Sequence, residues 1–282
     1  MPPPDRVLNL VQKATDLVSS TAGRAGFTVR LQDCTEVLVA GDLHGHIPNF
    51  QAIHKAAALA EHPSRHLVLQ EVIHSAFHYP QGGDKSHQLL DLFCALKSQF
   101  PHRVHLLPGN HELAQWTNRA IGKGDVTQNA DFRKGVDVAY GTHGPTIYAA
   151  YMDLLKRLPV ALHSPNHILM THSLTPARWM GTLDPRKLEQ ETLEPKEYEP
   201  GGVVYGIVWG RDTSHQTVDD YLRKMDADFL VSGHIPTDTG HVVPNHRQLI
   251  VDCSAVPAGY VLFPADRPLT LADLAAGVTT IG

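Results

Sequence analysis

The feature that most constrains the fold is a series of short apolar runs that end in glycine or in polar residues. The early runs alternate with stretches of helical apolar spacing, Asn49 to Glu61 and Ser86 to Gln99. Strand and helix in this order predict βαβ units and a sheet that is at least partly parallel. The runs are EVLVA at 36–40, HLVL at 66–69, RVHLL at 103–107, HILM at 167–170, FLV at 229–231 and QLIV at 248–251.

The two ends of the chain complete this picture. Apolar residues between Asp5 and Ser19 have helical spacing, which predicts a helix packed on the outside of the fold. The late runs HVV, QLIV and GYVLF are separated only by turns, which favours an antiparallel portion. We therefore expect an α/β sandwich with mixed β-sheets flanked by helices. Residues 74–85 and 181–202 show no periodicity and are predicted to be long loops.

No repeat, low-complexity tract or Ser/Gly linker divides the 282 residues. A single domain is the simplest interpretation, with a helical extension over residues 1–35 and a core over about 36–265. The three cysteines Cys34, Cys94 and Cys253 have neither metal-ligand nor redox spacing, so we expect them to be buried as small apolar residues.

Charge and hydropathy narrow the class of partner. Lys and Arg number 24 against 29 Asp and Glu, a net charge of −5 that argues against binding to nucleic acid or to an anionic membrane. The chain has neither a run of about 18 to 20 apolar residues nor a signal-peptide pattern at its start, so a cytoplasmic location is predicted. The sequence does not indicate an oligomeric state.

Polar residues that can bind metal follow five of the six runs. They are Asp42 and His44, then Glu71, then Asn110 and His111, then His172, and finally His234. Because the carboxyl ends of parallel strands meet at one edge, we expect these side chains at one edge of the sheet. A set of carboxylate, imidazole and amide without sulfur suits Mn, Fe or Zn. It is large enough for two ions about 3.5 to 4 Å apart with a bridging carboxylate.

The motifs that carry these residues resemble a known family. GDLHGH at 41–46, GNHE at 109–112, THS at 171–173 and SGHIP at 232–236 are similar in order and spacing to those of the calcineurin-like metallophosphoesterases. VWGRD at 208–212 resembles a tryptophan motif of the phosphoprotein phosphatase branch, the serine/threonine phosphatase-like enzymes, and of its bacterial relatives. The resemblance covers roughly residues 36–254 and implies two divalent ions, with Mn favoured over Fe or Zn.

The resemblance also implies a role for each residue. Asp42 and His44 would bind the first ion, Asn110, His172 and His234 the second, and Glu71 takes the position of the bridging Asp. His111 would donate a proton to the leaving oxygen, and the nucleophile would be a water or hydroxide between the ions. Arg211 is a candidate for contact with the substrate phosphate, the alternative being a surface ion pair with Asp212 or another carboxylate.

The second motif departs from the family pattern. Glu71 keeps the charge of the expected Asp but adds one methylene, so it can bridge only if the strand end lies slightly further from the ions. His74 stands where an Asp would orient His111, and the Arg that would hold phosphate is absent. We hypothesise that Asp84 and Lys85 in the following loop act as substitutes. His46, His74 and His78 are further candidates to line the pocket.

The predicted function is dinuclear metal-dependent hydrolysis of phosphate monoesters, of a protein or a small molecule, with phosphoserine and phosphothreonine as candidate substrates. One alternative is a nucleotide or dinucleoside polyphosphate hydrolase, or phosphodiesterase, with the same metal site. A second is a metal-bound scaffold with little turnover, which the altered second motif would favour.

Overall fold

The computed structural model describes residues 3–121 and 127–282, in which two β-sheets form the centre of the molecule. The strands are β1 Arg24–Ala25, β2 Thr28–Arg30, β3 Glu36–Asp42, β4 Arg65–Gln70, β5 Val104–Leu107, β6 Ala161–His163, β7 Ile168–Met170, β8 Phe229–Ser232, β9 His241–Asn245, β10 Gln248–Val251, β11 Ala258–Pro264 and β12 Val278–Ile281. Each of the six predicted runs overlaps one of these strands.

Helices cover the outer faces of both sheets. They are α1 Pro4–Ser19, α2 Ile47–Ala57, α3 His87–Gln99, α4 Asn110–Thr117, α5 Gln128–Tyr140, α6 Gly144–Arg157, α7 Pro185–Leu188, α8 Val203–Trp209, α9 His215–Met225 and α10 Leu271–Ala276. Within the two described ranges, no helix is both long enough and apolar enough to cross a membrane.

The five-stranded sheet has the order β12-β11-β3-β4-β5, and the seven-stranded sheet has the order β1-β2-β6-β7-β8-β10-β9. Strands β3, β4 and β5 run parallel, whereas β11 is antiparallel to both of its neighbours. In the other sheet β7, β8 and β10 run parallel and β9 is antiparallel to β10. The expected α/β sandwich with mixed sheets and the expected antiparallel portion are therefore confirmed.

Three buried apolar clusters hold these layers together. One lies between the two sheets and includes Val39 of β3 and Val231 of β8. A second packs α1, α2, α3, α5 and α6 on the five-stranded sheet, and the third packs α7, α8 and α9 on the seven-stranded sheet. All three cysteines are buried and free, as expected.

The ends of the chain take part in the same layers. Val11 of α1 belongs to the buried cluster that contains Leu38 of β3. Strands β1, β2 and β12 lie outside residues 36–265 yet pair within the sheets, so the segment predicted as a helical extension also contains strands. The single-domain organisation stays a prediction.

The sheet arrangement corrects one expectation. The predicted ligands do not lie at the edge of a single sheet, because β3, β4 and β5 belong to one sheet whereas β7 and β8 belong to the other. The two sheets meet at Gly41, where a Cβ would overlap the carbonyl oxygen of Val251. The candidate ligands therefore gather where the carboxyl ends of two sheets converge.

Candidate metal centre

Every predicted ligand lies at the end of a strand, just beyond one, or at the start of a helix. Asp42 ends β3, and Asn110 begins α4. His44, Glu71 and His234 have φ angles of 42°, 36° and 68°, in the left-handed region that residues other than glycine seldom adopt. Such strained backbone is concentrated at functional sites, where the surrounding structure holds it in place.

Glu71 occupies the centre of this group. Its side chain is buried, with Oε2 3.2 Å from Nε2 of His44 and Oε1 3.6 Å from Nε2 of His172. Oε1 also accepts a hydrogen bond of 2.9 Å from the backbone N–H of His111. The two carboxylate oxygens therefore face two histidines that come from different sheets.

The carboxylate of Asp42 faces residues that follow strands of the seven-stranded sheet. Its Oδ1 is 3.5 Å from Nδ1 of His172, and its oxygens accept the backbone N–H of His234 at 2.9 and 3.1 Å. Nε2 of His172 and Nδ1 of His234 are 3.2 Å apart. The resemblance pairs Asp42 with His44, whereas the structure brings its carboxylate against His172 and His234.

These spacings suit metal ligands. Two ligand atoms at about 2.0 to 2.2 Å from one ion, at an angle of about 90° to 109°, are about 3 to 3.5 Å apart. Two overlapping triads of potential ligand atoms each lie within 4.8 Å, and both include Glu71. One triad is His44, Glu71 and His111, and the other is Asp42, Glu71 and His172.

Unpartnered polar atoms support the same interpretation. Oδ1 of Asn110 and Nδ1 of His172 are buried and have no hydrogen-bond partner within the described part of the chain. Buried polar atoms without a partner are rare in folded proteins, and a bound cation would supply one. The residues present therefore fit a divalent metal site.

The ionisation of the group is shaped by burial and by its two carboxylates. Burial and the nearby Glu71 raise the pKa of Asp42. Burial alone would lower the pKa of His44, but the carboxylates of Glu71 and Asp42 raise it to about 10. Burial lowers the pKa of His172 to about 4, which keeps this imidazole neutral and able to ligate.

His111 lies beside these ligands and faces an open cleft of about 1070 Å³. Its ring packs edge-on against His44, with the centroids 4.7 Å apart. Its Nδ1 is 2.8 Å from Nδ1 of His74. The exposed side chains of Phe77 and Val256 also line this cleft.

Arg211 lines the same cleft, and its Nε donates to Nε2 of His234 at 3.1 Å. Asp212 accepts instead from the backbone N–H groups of Ala177 and Ser214 and from the hydroxyl of Thr217. Arg211 therefore does not form the alternative ion pair with Asp212.

The structure places the two hypothesised substitutes elsewhere. Asp84 accepts hydrogen bonds from the backbone N–H groups of Ser75 and Ser86 and from the Ser86 hydroxyl. The ammonium group of Lys85 lies over the ring of Tyr79, 5.2 Å from its centroid. Asp84 therefore organises the loop at 74–86 and does not orient His111 directly. His46, His74 and His78 all line the cleft.

Two further residues support the site and were missed from the sequence. Oε1 of Glu112 accepts the backbone N–H groups of Val72 and Ile73, and Oε2 accepts that of Gly109. A Glu three residues after the N-cap residue, here Gly109, is one half of the capping-box signal and could have identified it. Gln115 accepts a hydrogen bond of 2.7 Å from His74, and its spacing of four residues from His111 places both on one helix face.

Residues 35–238 match the family model of the calcineurin-like phosphoesterases. The chain belongs to this family. Calcineurin-like phosphoesterases are metal-dependent hydrolases, so the predicted family and the predicted enzyme class are confirmed.

Individual relatives agree with this assignment. A probable serine/threonine-protein phosphatase of Encephalitozoon cuniculi (strain GB-M1) is 25% identical over 193 residues, 63% of this chain. The match spans only 39% of that relative's length. This calcineurin-like phosphoesterase thus has a serine/threonine phosphatase relative, which supports the phosphoprotein phosphatase branch, whereas the bacterial type stays a prediction.

Solved structures show the same fold. A Saccharomyces cerevisiae serine/threonine phosphatase with similarity to human phosphatase PP5 superposes with a TM-score of 0.70 and 16% identity, covering all of this chain and 90% of the other. A cold-active protein-tyrosine phosphatase of a psychrophilic Shewanella species gives a TM-score of 0.60 at 14% identity, covering 94% and 84%. At these identities the likeness concerns the fold alone.

Proposed function

We propose that this calcineurin-like phosphoesterase hydrolyses phosphate monoesters with two divalent ions, which Glu71 and the side chains around it would hold. One observation carries the proposal: Oε2 of Glu71 faces His44, and Oε1 faces His172. A carboxylate with one oxygen towards each of two groups of potential ligands would be able to contact two ions at once. Two ions bound there would neutralise charge on the phosphate and lower the pKa of a water molecule towards about 7.

The chain's residues then divide into three roles. The ions would be held by Glu71 together with Asp42, His44, Asn110, His172 and His234. His111, beside this group and open to the cleft, would take up a proton and donate it to the leaving oxygen. The guanidinium of Arg211 contacts the substrate phosphate from the same cleft.

Protein phosphoserine or phosphothreonine is the proposed substrate class. The relative and the yeast structure are described as serine/threonine phosphatases. The cleft is open, and Phe77 and Val256 at its wall are 48% and 58% exposed. Such apolar side chains can contact the residues that flank a phosphorylated side chain. We propose Mn²⁺ as the ion, with Fe or Zn as the alternatives, and a cytoplasmic location stays a prediction.

The products of hydrolysis test the reaction class. Metal-loaded protein is incubated with a phosphoserine peptide, with para-nitrophenyl phosphate, with bis(para-nitrophenyl) phosphate and with a dinucleoside polyphosphate. Inorganic phosphate, para-nitrophenol and nucleotide products are measured separately. We expect phosphate release from both monoesters and little cleavage of the diester. Preferential cleavage of the diester, or of a dinucleoside polyphosphate, would instead support the phosphodiesterase or polyphosphate hydrolase alternative.

A further inference from the structure

His74 stands at the point where the second motif departs from the family pattern, and its position is tightly determined. The residue is buried and has a φ angle of 64°, in the left-handed region. Its backbone N–H donates to Oγ of Ser86 at 3.0 Å, and this hydroxyl donates to Oδ2 of Asp84 at 3.0 Å. Asp84 therefore supports the backbone of His74 through Ser86.

Gln115 determines which nitrogen of His74 carries the hydrogen. The amide nitrogen of Gln115 donates to Oη of Tyr148 at 2.8 Å and to the carbonyl oxygen of Asn129 at 3.3 Å. Because that carbonyl can only accept, the amide of Gln115 cannot be rotated by 180°. Its Oε1 therefore faces Nε2 of His74 at 2.7 Å, and Nε2 must carry the hydrogen.

The tautomer of His74 in turn determines that of His111. A neutral imidazole with hydrogen on Nε2 has a lone pair on Nδ1, and burial lowers the pKa of His74 to about 3, so the ring is neutral. The Nδ1 atoms of His74 and His111 are 2.8 Å apart, so the shared hydrogen belongs to His111. Nε2 of His111 is then the nitrogen that can carry a proton to a substrate in the cleft.

We propose that His74, with its tautomer fixed by Gln115, is the positioning residue for His111 and replaces the carboxylate that the family pattern has there. This inference rests on the proposed function, in which His111 protonates the leaving oxygen. An imidazole acceptor orients the ring as a carboxylate would, but it adds no negative charge. The altered second motif is thus compatible with turnover.

Histidine side-chain NMR tests the hydrogen-bond network without any activity. Long-range ¹H–¹⁵N spectra of the metal-free protein distinguish the two neutral tautomers, and His111→Ala and His74→Ala assign the signals. We expect hydrogen on Nδ1 of His111 and on Nε2 of His74, with loss of the fixed His111 tautomer in His74→Ala. A neutral His111 with its hydrogen on Nε2 would overturn the proposal. So would a positively charged His74 at neutral pH.

The dependence on the leaving group tests the catalytic consequence. Phenyl phosphate needs a proton donor far more than para-nitrophenyl phosphate, because phenolate is the poorer leaving group. In Mn²⁺-saturated protein we expect His74→Ala to lower kcat about 10-fold more for phenyl phosphate than for para-nitrophenyl phosphate. A factor of this size lies within the rate enhancement usual for general acids. KM and the amount of bound Mn²⁺ should not change in His74→Ala. Gln115→Leu should lower kcat in the same direction. His74→Asp should restore most of the kcat that His74→Ala loses.

The chain offers a matched control in a second buried histidine pair. Nδ1 of His66 lies 3.0 Å from Nε2 of His105 in the five-stranded sheet, away from the cleft. His105→Ala should leave the ratio of the two kcat values unchanged. An equal loss on both substrates in His74→Ala would show a merely structural role and overturn the positioning inference alone. Absence of hydrolysis by the wild-type protein would overturn the proposed function as well.

Discussion

The backbone of Gly109 lies so close to Glu71 that a Cβ at position 109 would overlap the carboxylate of the glutamate. This contact explains how a side chain one methylene longer than Asp fits at the centre of the site. The additional length is accommodated by the glycine before α4. The φ angle of Gly109 is not in the left-handed region, so backbone conformation does not demand glycine here. Glycine is needed because the side chain of Glu71 approaches so closely.

Gly109→Ala should therefore disturb the metal site. We expect at least about a 10-fold loss of Mn²⁺ affinity, the size usual for residues that support metal ligands. Adding Glu71→Asp in the same chain should recover part of the loss, because the shorter side chain withdraws from the new methyl group. Calorimetric titration measures both. Gly181→Ala is the control, since a Cβ there meets no atom within 4 Å; equal affinity in Gly109→Ala and Gly181→Ala would contradict the packing argument.

Removal of the Glu71 carboxylate should change the number of bound ions. If its two oxygens serve two ions, Glu71→Ala should bind one Mn²⁺ or none at concentrations that load two in the wild type. Glu71→Asp should keep two ions and retain or raise the activity. Equilibrium dialysis with elemental analysis gives the count. Two ions in Glu71→Ala would mean that a different carboxylate bridges them.

His111→Ala separates metal binding from proton transfer. The side chain of His111 is predicted to act on the leaving oxygen and not to hold an ion, so the variant should bind Mn²⁺ normally. Its kcat should fall by a factor of about 10² to 10⁴, the range typical of general acid catalysis. If metal binding and activity are lost to the same extent, His111 is a metal ligand. Its position in the triad with His44 and Glu71 would explain that role.

Metal binding should release protons. The carboxylates of Glu71 and Asp42 raise the pKa of His44 to about 10 despite its burial, so this imidazole holds a proton at neutral pH when no ion is bound. A cation must displace that proton, so Mn²⁺ affinity should rise between pH 6 and pH 9. Calorimetric titrations in two buffers of different ionisation enthalpy measure the number of protons released. We expect at least one, and a value of zero would exclude a protonated His44.

A buried lysine far from the cleft gives a pH-dependent stability. Lys97 of α3 donates to Oγ1 of Thr21 and to the carbonyl oxygen of Val104, and burial lowers its pKa from 10.5 to about 7. Between these values the unfolded chain binds more protons than the folded one, so the free energy of unfolding should rise with pH. The slope from this group is at most about 1.4 kcal/mol per pH unit.

Chemical denaturation between pH 7 and pH 10 measures that slope. Lys97→Met should remove the contribution, whereas Lys55→Met, at an exposed position of α2, should retain it. The same pH dependence in Lys97→Met and in the wild type would show that Lys97 is charged when folded.

Much of the site was predictable because its information is local in sequence. Each ligand candidate follows directly on an apolar run, so identifying the strand also locates the ligand. Asp42 at the end of β3 and Asn110 after β5 are examples. The antiparallel portion at β9 and β10 was predictable for a similar reason, since a short turn joins those strands.

The remainder depends on contacts between residues distant in sequence. The division into two sheets depends on strand pairing and on the approach of Gly41 to Val251, which no local pattern encodes. Helices α5 and α6 were not predicted. The hydrogen bond from His74 to Gln115 joins residues 41 positions apart, so the sequence showed His74 in place of the Asp but not its contact with Gln115.

The central claim is that the protein hydrolyses phosphate monoesters with two divalent ions. It is tested most directly by titrating chelator-stripped protein with Mn²⁺. Bound ions and para-nitrophenyl phosphate hydrolysis are followed together, with His111→Ala measured alongside. We predict that activity develops as binding approaches two ions per chain and that His111→Ala binds both ions with little activity. Two bound ions without hydrolysis by the wild-type protein, or full activity with a single ion, would contradict the claim.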